Sequence, residues 1–169
     1  AGTITLSNAS LSGNFTLTLD GSAGGTVSGV ISSTAVNGLV KQGGGTWSLA
    51  GTNTYSGTTA LSAGVLKATS ARALGSNGAV TVSANATLDL KGNSVTLQGI
   101  ASSYTTSTIK TTGGNATLTL NNLVGVDYEY DGALKDGAGG VLTLVKNDAR
   151  ALTLTGVNTY SGNTTINGG

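Results

Sequence analysis

Cysteine, histidine, methionine and proline are all missing from these 169 residues, and only 9% of them are charged and 4% aromatic. Without cysteine no disulfide can staple the fold, so stability has to come from packing and backbone pairing. Without His or Cys, neither Ser-His-Asp and Cys-His nucleophile systems nor the usual zinc sites can be assembled. A Ser/Lys pair stays formally open, but serine is too common here for any one pairing to carry information. An ordinary globular domain has about 25% charged residues, so the composition argues against a typical cytosolic enzyme. No cofactor and no metal are expected.

Long apolar runs are missing too. None approaches the roughly 20 residues of a membrane-spanning helix, so this segment is not expected to insert into a membrane as a helix. Nothing at Ala1 has the form of a charged n-region followed by an apolar h-region, so a signal peptide is expected upstream or already removed. Positive charge is thin: eight basic against seven acidic residues leave a net charge of +1. The basic residues, from Lys41 to Arg150, never cluster, which argues against nucleic acid and anionic lipid as partners.

What is present is a two-residue apolar period. Ile4/Leu6, Leu17/Leu19, Trp47/Leu49, Val80/Val82, Leu88/Leu90, Val95/Leu97, Leu118/Leu120, Leu142/Leu144 and Leu152/Leu154 are pairs separated by one residue, as half-buried strands require. Between Gly78 and Gly99 such pairs start at positions 80, 88 and 95, separated by Asn- and Gly-bearing turns. Read as three sides of one coil, they predict a coil of roughly 22 residues, and about seven or eight coils in all. A sandwich or up-and-down barrel would also show short strands. Aliphatic inward positions and small, β-favouring outward ones favour a parallel solenoid, in which like residues stack coil upon coil.

A repeat supports this reading. Leu39 to Gly64 and Leu144 to Gly169 lie 105 residues apart and share 12 of 26 positions, including Asn53-Thr54-Tyr55-Ser56-Gly57 against Asn158-Thr159-Tyr160-Ser161-Gly162. At about 22 residues per coil the offset is roughly five coils, so the copies are not expected to touch. A single β-solenoid over residues 1–169 is expected, with copies at 39–67 and 144–169.

The first copy resembles the autotransporter-associated β-strand repeat of Gram-negative type V secreted passengers. Gly43, Gly45, Thr46 and Leu49 match its Gly-x-Gly-Thr-x-x-Leu part, and Gly51, Asn53, Thr54, Tyr55, Gly57, Thr58 and Thr59 match its Gly-x-Asn-Thr-Tyr-x-Gly part. In the second copy Asp148, Ala149 and Arg150 replace Gly43 to Gly45, so its leading turn is expected to be built differently. The resemblance implies a right-handed parallel β-helix, secreted and displayed at or beyond the outer membrane, whose repeats aid folding and transport. It implies as partners the rest of the passenger and a C-terminal translocator barrel, and leaves self-association or a host receptor open. The chain stops at Ile166-Asn167-Gly168-Gly169, where the first copy continues into Val65-Leu66-Lys67, and is expected to be a segment of a longer protein.

Three sets of residues are candidates for function. Asp127, Glu129 and Asp131 alternate with Tyr128 and Tyr130, so in a strand the carboxylates share one face. They are available to Ca²⁺, to a sugar or to polysaccharide cleavage, against the plainer reading of a solvated acidic face. Asn53, Tyr55 and Gly57, with Asn158, Tyr160 and Gly162, form the repeated turn. There the tyrosines are either glycan-stacking platforms or, as recurrence in both copies favours, rings packed over the coil edge with the Asn satisfying turn amides. Trp47, which aligns with Leu152, is read as core filling. The Thr-x-Thr units Thr3/Thr5, Thr16/Thr18, Thr117/Thr119 and Thr153/Thr155 are too irregularly spaced for an ice-binding ladder. The function expected is a non-enzymatic structural stalk that supports secretion, with direct adhesion as the alternative and a carbohydrate-active enzyme as a third reading.

Overall fold

A computed structural model describes residues 4–7, 11–32, 38–122 and 125–169. Thr3 of the first Thr-x-Thr unit lies outside them. Among the described residues there is no helix, and every strand pairing is parallel. The chain winds as a β-solenoid of about seven turns.

Its long face is a seven-stranded sheet of Ile4–Leu6, Gly24–Val27, Thr46–Leu49, Val65–Ala68, Thr87–Asp89, Thr108–Thr111 and Ala133–Asp136. Successive partners are 19 residues apart at the closest, Thr46 with Val65, and 25 at the widest, Thr108 with Ala133. Seven strands at ~4.8 Å spacing make this face about 30 Å tall. The stretch Gly78 to Gly99 forms one coil with three sides, Val80–Val82, Thr87–Asp89 and Val95–Leu97.

The second face starts as Leu17–Leu19, Leu39–Lys41, Thr59–Leu61, Val80–Val82 and Ile100–Ala101. A parallel bridge between Ser102 and Tyr130 carries it on to Tyr128–Tyr130 and then Leu152–Leu154. The third face changes character along the rod. Its later coils carry a regular sheet of Val95–Leu97, Ala116–Leu120, Leu142–Lys146 and Thr164–Ile166. Earlier, only Leu11–Ser12 and Ile31–Ser32 pair there, and the first-copy segment around Asn53 takes the place of a strand.

The core follows from register. In-register stacking puts Trp47, Leu66, Leu88, Ile109 and Leu134 in one column, all buried. Gly25 lies opposite Trp47, and a Cβ there would press on the indole, so the glycine makes room for the one large ring of the column. The indole nitrogen donates to the Asp20 carbonyl at 3.1 Å, which leaves Trp47 in the core with its polar atom paired.

The two repeat copies do not sit in the same rotational phase. The Leu-Val-Lys strand lies on the second face in the first copy, as Leu39–Lys41, and on the third face in the second copy, within Leu142–Lys146. From Leu39–Lys41 the second face climbs through Thr59–Leu61, Val80–Val82, Ile100–Ala101 and Tyr128–Tyr130, four coils, and two further faces reach Leu142–Lys146. The 105 residues thus span four and two-thirds coils rather than five. Steps from coil to coil vary, from 19 residues between Thr46 and Val65 to 28 between Ser102 and Tyr130, and do not add up to a whole number, so each copy has to act through its immediate neighbours.

Candidate functional site

Lys41 and Lys146 occupy inward positions of their strands. Lys41 lies in register between Leu19 and Leu61, and Lys146 between Leu120 and Ile166, where period two places an apolar side chain. Both are buried. Their methylene stems line the interior while the ammonium reaches the coil corner. Lys41 Nζ donates to the carbonyls of Gln42 at 2.9 Å and Gly43 at 2.7 Å in its own turn, and to Ala63 at 2.9 Å in the next coil. Lys146 Nζ donates to the Asp148 carbonyl at 2.6 Å and to the Gly168 carbonyl at 2.9 Å, one coil on. In each case the cation ties its own turn to the turn 22 residues later. Burial pulls the Lys41 ammonium below its ordinary pKa, and nearby Asp20 opposes that shift.

The two leading turns reach this end by different chemistry. Gly43 adopts a left-handed φ of 71°, whereas Asp148 does not. Asp148 instead folds its carboxylate onto the Arg150 amide at 2.9 Å and lies 3.3 Å from Lys146 Nζ. Desolvation raises its pKa, but the hydrogen bonds and the Lys146 charge outweigh that and hold it below the ordinary carboxylate range.

Asn53 is the second element of the clasp. Its Oδ1 accepts from the Ile31 amide of the preceding coil at 2.8 Å, and its Nδ2 donates to the Ala73 carbonyl of the following coil at 2.6 Å. The buried amide therefore bridges three coils where the third face has no strand ladder. Asn158 repeats the lower half, accepting from the Leu134 amide at 2.8 Å, while its Nδ2 turns to the Gly156 carbonyl at 3.0 Å. In both copies the Asn oxygen thus accepts a backbone amide of the neighbouring coil. The backbone matches as well, with Thr54 N donating to Ile31 O and Thr159 N to Leu134 O.

Tyr55 is buried, and its hydroxyl pairs with Thr59 Oγ1 at 2.8 Å; burial pushes the phenol well above its usual pKa. Tyr160 is half-buried against the core and makes the same bond with Thr164 at 2.7 Å. Gly57 is buried beneath Gly78, and a Cβ on Gly78 would strike its carbonyl. A Cβ at Gly162 would overlap the Leu142 carbonyl oxygen.

The acidic residues are divided by the structure. Asp127 is paired with Arg150 at 3.2 Å and accepts from the Ala151 amide at 3.0 Å. Asp131 accepts from the Thr155 hydroxyl. Glu129 is exposed on Tyr128–Tyr130, and its carboxylate has no ion pair or hydrogen bond among the described residues. Tyr130 is buried on the opposite side, and burial pushes its phenol up to about 12. Its neighbour Ser107 is committed to the Ser102 hydroxyl and the Tyr104 carbonyl, both at 2.8 Å. No group of three or more acidic side chains able to hold a metal occurs among the described residues.

Sequence reasoning gave Lys41 and Lys146 no role, counting them only among basic residues that never cluster. The signal was available, because both fall in phase with inward leucines and at the same place in each copy.

Geometry thus defines a class of protein, a parallel β-solenoid whose repeated unit clasps coil to coil. The passenger-associated-transport-repeat family model matches residues 39–68 and 144–169, the two clasps. The chain is also 37% identical over 134 residues to the adhesin BmaC autotransporter of Brucella suis biovar 1 (strain 1330). That alignment covers 78% of the chain and 4% of the relative's own length. No solved structure matches. The chain is an autotransporter passenger segment built with passenger-associated transport repeats, secreted and surface-located at the outer membrane of a Gram-negative bacterium.

Proposed function

We propose that this segment is a rigid stalk of its passenger, that the whole of residues 1–169 forms one solenoid unit, and that its repeats support folding and transport across the outer membrane. The observation that carries this reading is the duplicated clasp. In both copies an Asn oxygen takes the amide of the preceding coil at 2.8 Å and a buried Lys takes a carbonyl of the following turn at 2.9 Å. A coil that emerges from a pore and locks onto the one already outside resists sliding back. The repeat-turn residues Asn53, Tyr55, Gly57, Asn158, Tyr160 and Gly162 are structural in this account. The partners it requires are the rest of the passenger and a C-terminal translocator barrel.

The second reading is adhesion or self-association through the solenoid surface. It is favoured by the relative, which is named an adhesin. An enzymatic role has weaker support, because Asp127 and Asp131 are engaged by neighbours. Deleting the segment from its parent and measuring both surface display and cell adhesion separates the first two. Loss of display with normal adhesion per displayed molecule is expected; intact display with lost adhesion would favour the second reading.

A further inference from the structure

A shallow groove of about 410 Å³ crosses the second face where its strands are re-joined by the Ser102 to Tyr130 bridge. Register places Thr81 beside Ala101, and the bridge places Ala101 beside Glu129. The small Ala101 side chain leaves a notch between them. Ser83, Ser103 and Asp131 line the groove alongside, and Tyr104 stands at its rim.

Three features give this groove its chemistry. The carboxylate of Glu129 has no partner, and Asp131 adds a second negative charge. Tyr104 is 48% exposed and its side chain makes no hydrogen bond among the described residues. No Lys or Arg lines the groove. An unpaired carboxylate beside an electron-rich ring attracts an organic cation through a charge-assisted hydrogen bond and a cation–π contact. Neither feature belongs to the repeat clasp, and the stalk reading does not use them.

We infer that this groove binds a guanidinium or ammonium side chain of a partner protein's basic segment. The Glu129 carboxylate is the ion-pairing acceptor, and Tyr104 is the face on which the cation stacks. Thr81 and Ser103 offer hydroxyls to neighbouring peptide groups, and Asp131 strengthens the negative field while held by Thr155.

The experiment titrates the purified full-length passenger calorimetrically with a blocked glycine peptide bearing two arginines. The same peptide with citrulline in place of arginine, and a neutral N-acetylglucosamine oligomer, serve as comparisons. The arginine peptide is expected to bind, weakening at least about tenfold with citrulline, and to weaken further at about 0.5 M salt. Glu129→Gln and Tyr104→Ala should each weaken it at least about fivefold with an unchanged circular dichroism spectrum, since both side chains are exposed. Equal binding by the parent and Glu129→Gln passengers, no binding of the arginine peptide, or preference for the neutral sugar would overturn the assignment.

Discussion

At the scale of single residues, the repeat works through two polar side chains placed where the fold would otherwise want apolar ones. Asn53 spans two gaps between coils, so its loss strands the Ile31 amide and the Ala73 carbonyl in the interior. At about 1–3 kcal/mol per buried unpaired group, Asn53→Ala is expected to destabilise by about 2–4 kcal/mol in denaturant unfolding. Asn158→Ala, which breaks only one inter-coil bond, should cost about half as much. Equal costs at the two sites would contradict the three-coil bridge. Lys41→Met keeps the apolar stem but removes the donor to three carbonyls. Because burying a cation is itself costly, a moderate loss of about 1–3 kcal/mol is expected, with Lys41→Ala worse because it adds a cavity. Leu88→Ala, in the column of the long face, should cost about 2–5 kcal/mol.

The lysines also show where a sequence is hard to read. Asn-Thr-Tyr-Ser-Gly announces itself, because an identical five-residue run at a fixed offset rarely arises by chance. A lysine in a strand reads as surface unless the carbonyls that will receive it are known. One of those carbonyls in each copy belongs to a turn 22 residues away, whose position depends on how the next coil closes.

At the scale of the coil, strand positions were legible because Val, Ile and Leu alternate with Thr and Ser, and three pairs between positions 80 and 97 marked three sides. The phase of the second copy was not legible. It depends on the sum of turn lengths between the copies, including the 28-residue step from Ser102 to Tyr130, and small differences in turns accumulate to a third of a revolution. The same step creates the groove beside Glu129. Corner carboxylates set the pH response. Backbone and side-chain hydrogen bonds, from Gly21 and Gln42 to Asp20 and from Ser161 and Leu142 to Asp136, hold both below the ordinary carboxylate pKa. Asp148 is held low as well, against its own desolvation. A carboxylate depressed in the folded state stabilises it above the unfolded pKa of about 4, and that contribution is lost as pH falls through the folded value. The melting temperature is therefore expected to be flat from about pH 7 to 5 and to fall below about pH 4. A melting temperature unchanged at about pH 3 would contradict these assignments.

At the scale of the whole molecule, a solenoid of parallel coils holds itself together through nearest neighbours, so each interface can form as soon as two coils exist. The long face supplies continuous strand pairing over seven coils, and the clasps add side-chain ties at the corners. Their placement on different faces braces two seams of the rod rather than one. Closing a corner across about 22 residues costs little chain entropy compared with a long-range contact. Coil-by-coil growth is thus the folding order on which the proposed role in transport relies.

The most direct test of the clasp is to place Lys41→Met, Asn53→Ala, Lys146→Met and Asn158→Ala together in the full-length parent. The quantity to measure is passenger at the cell surface, along with its resistance to added protease. Reduced display, with new cleavage concentrated within residues 39–68 and 144–169, is the predicted result. Display and protease resistance equal to the parent would contradict it.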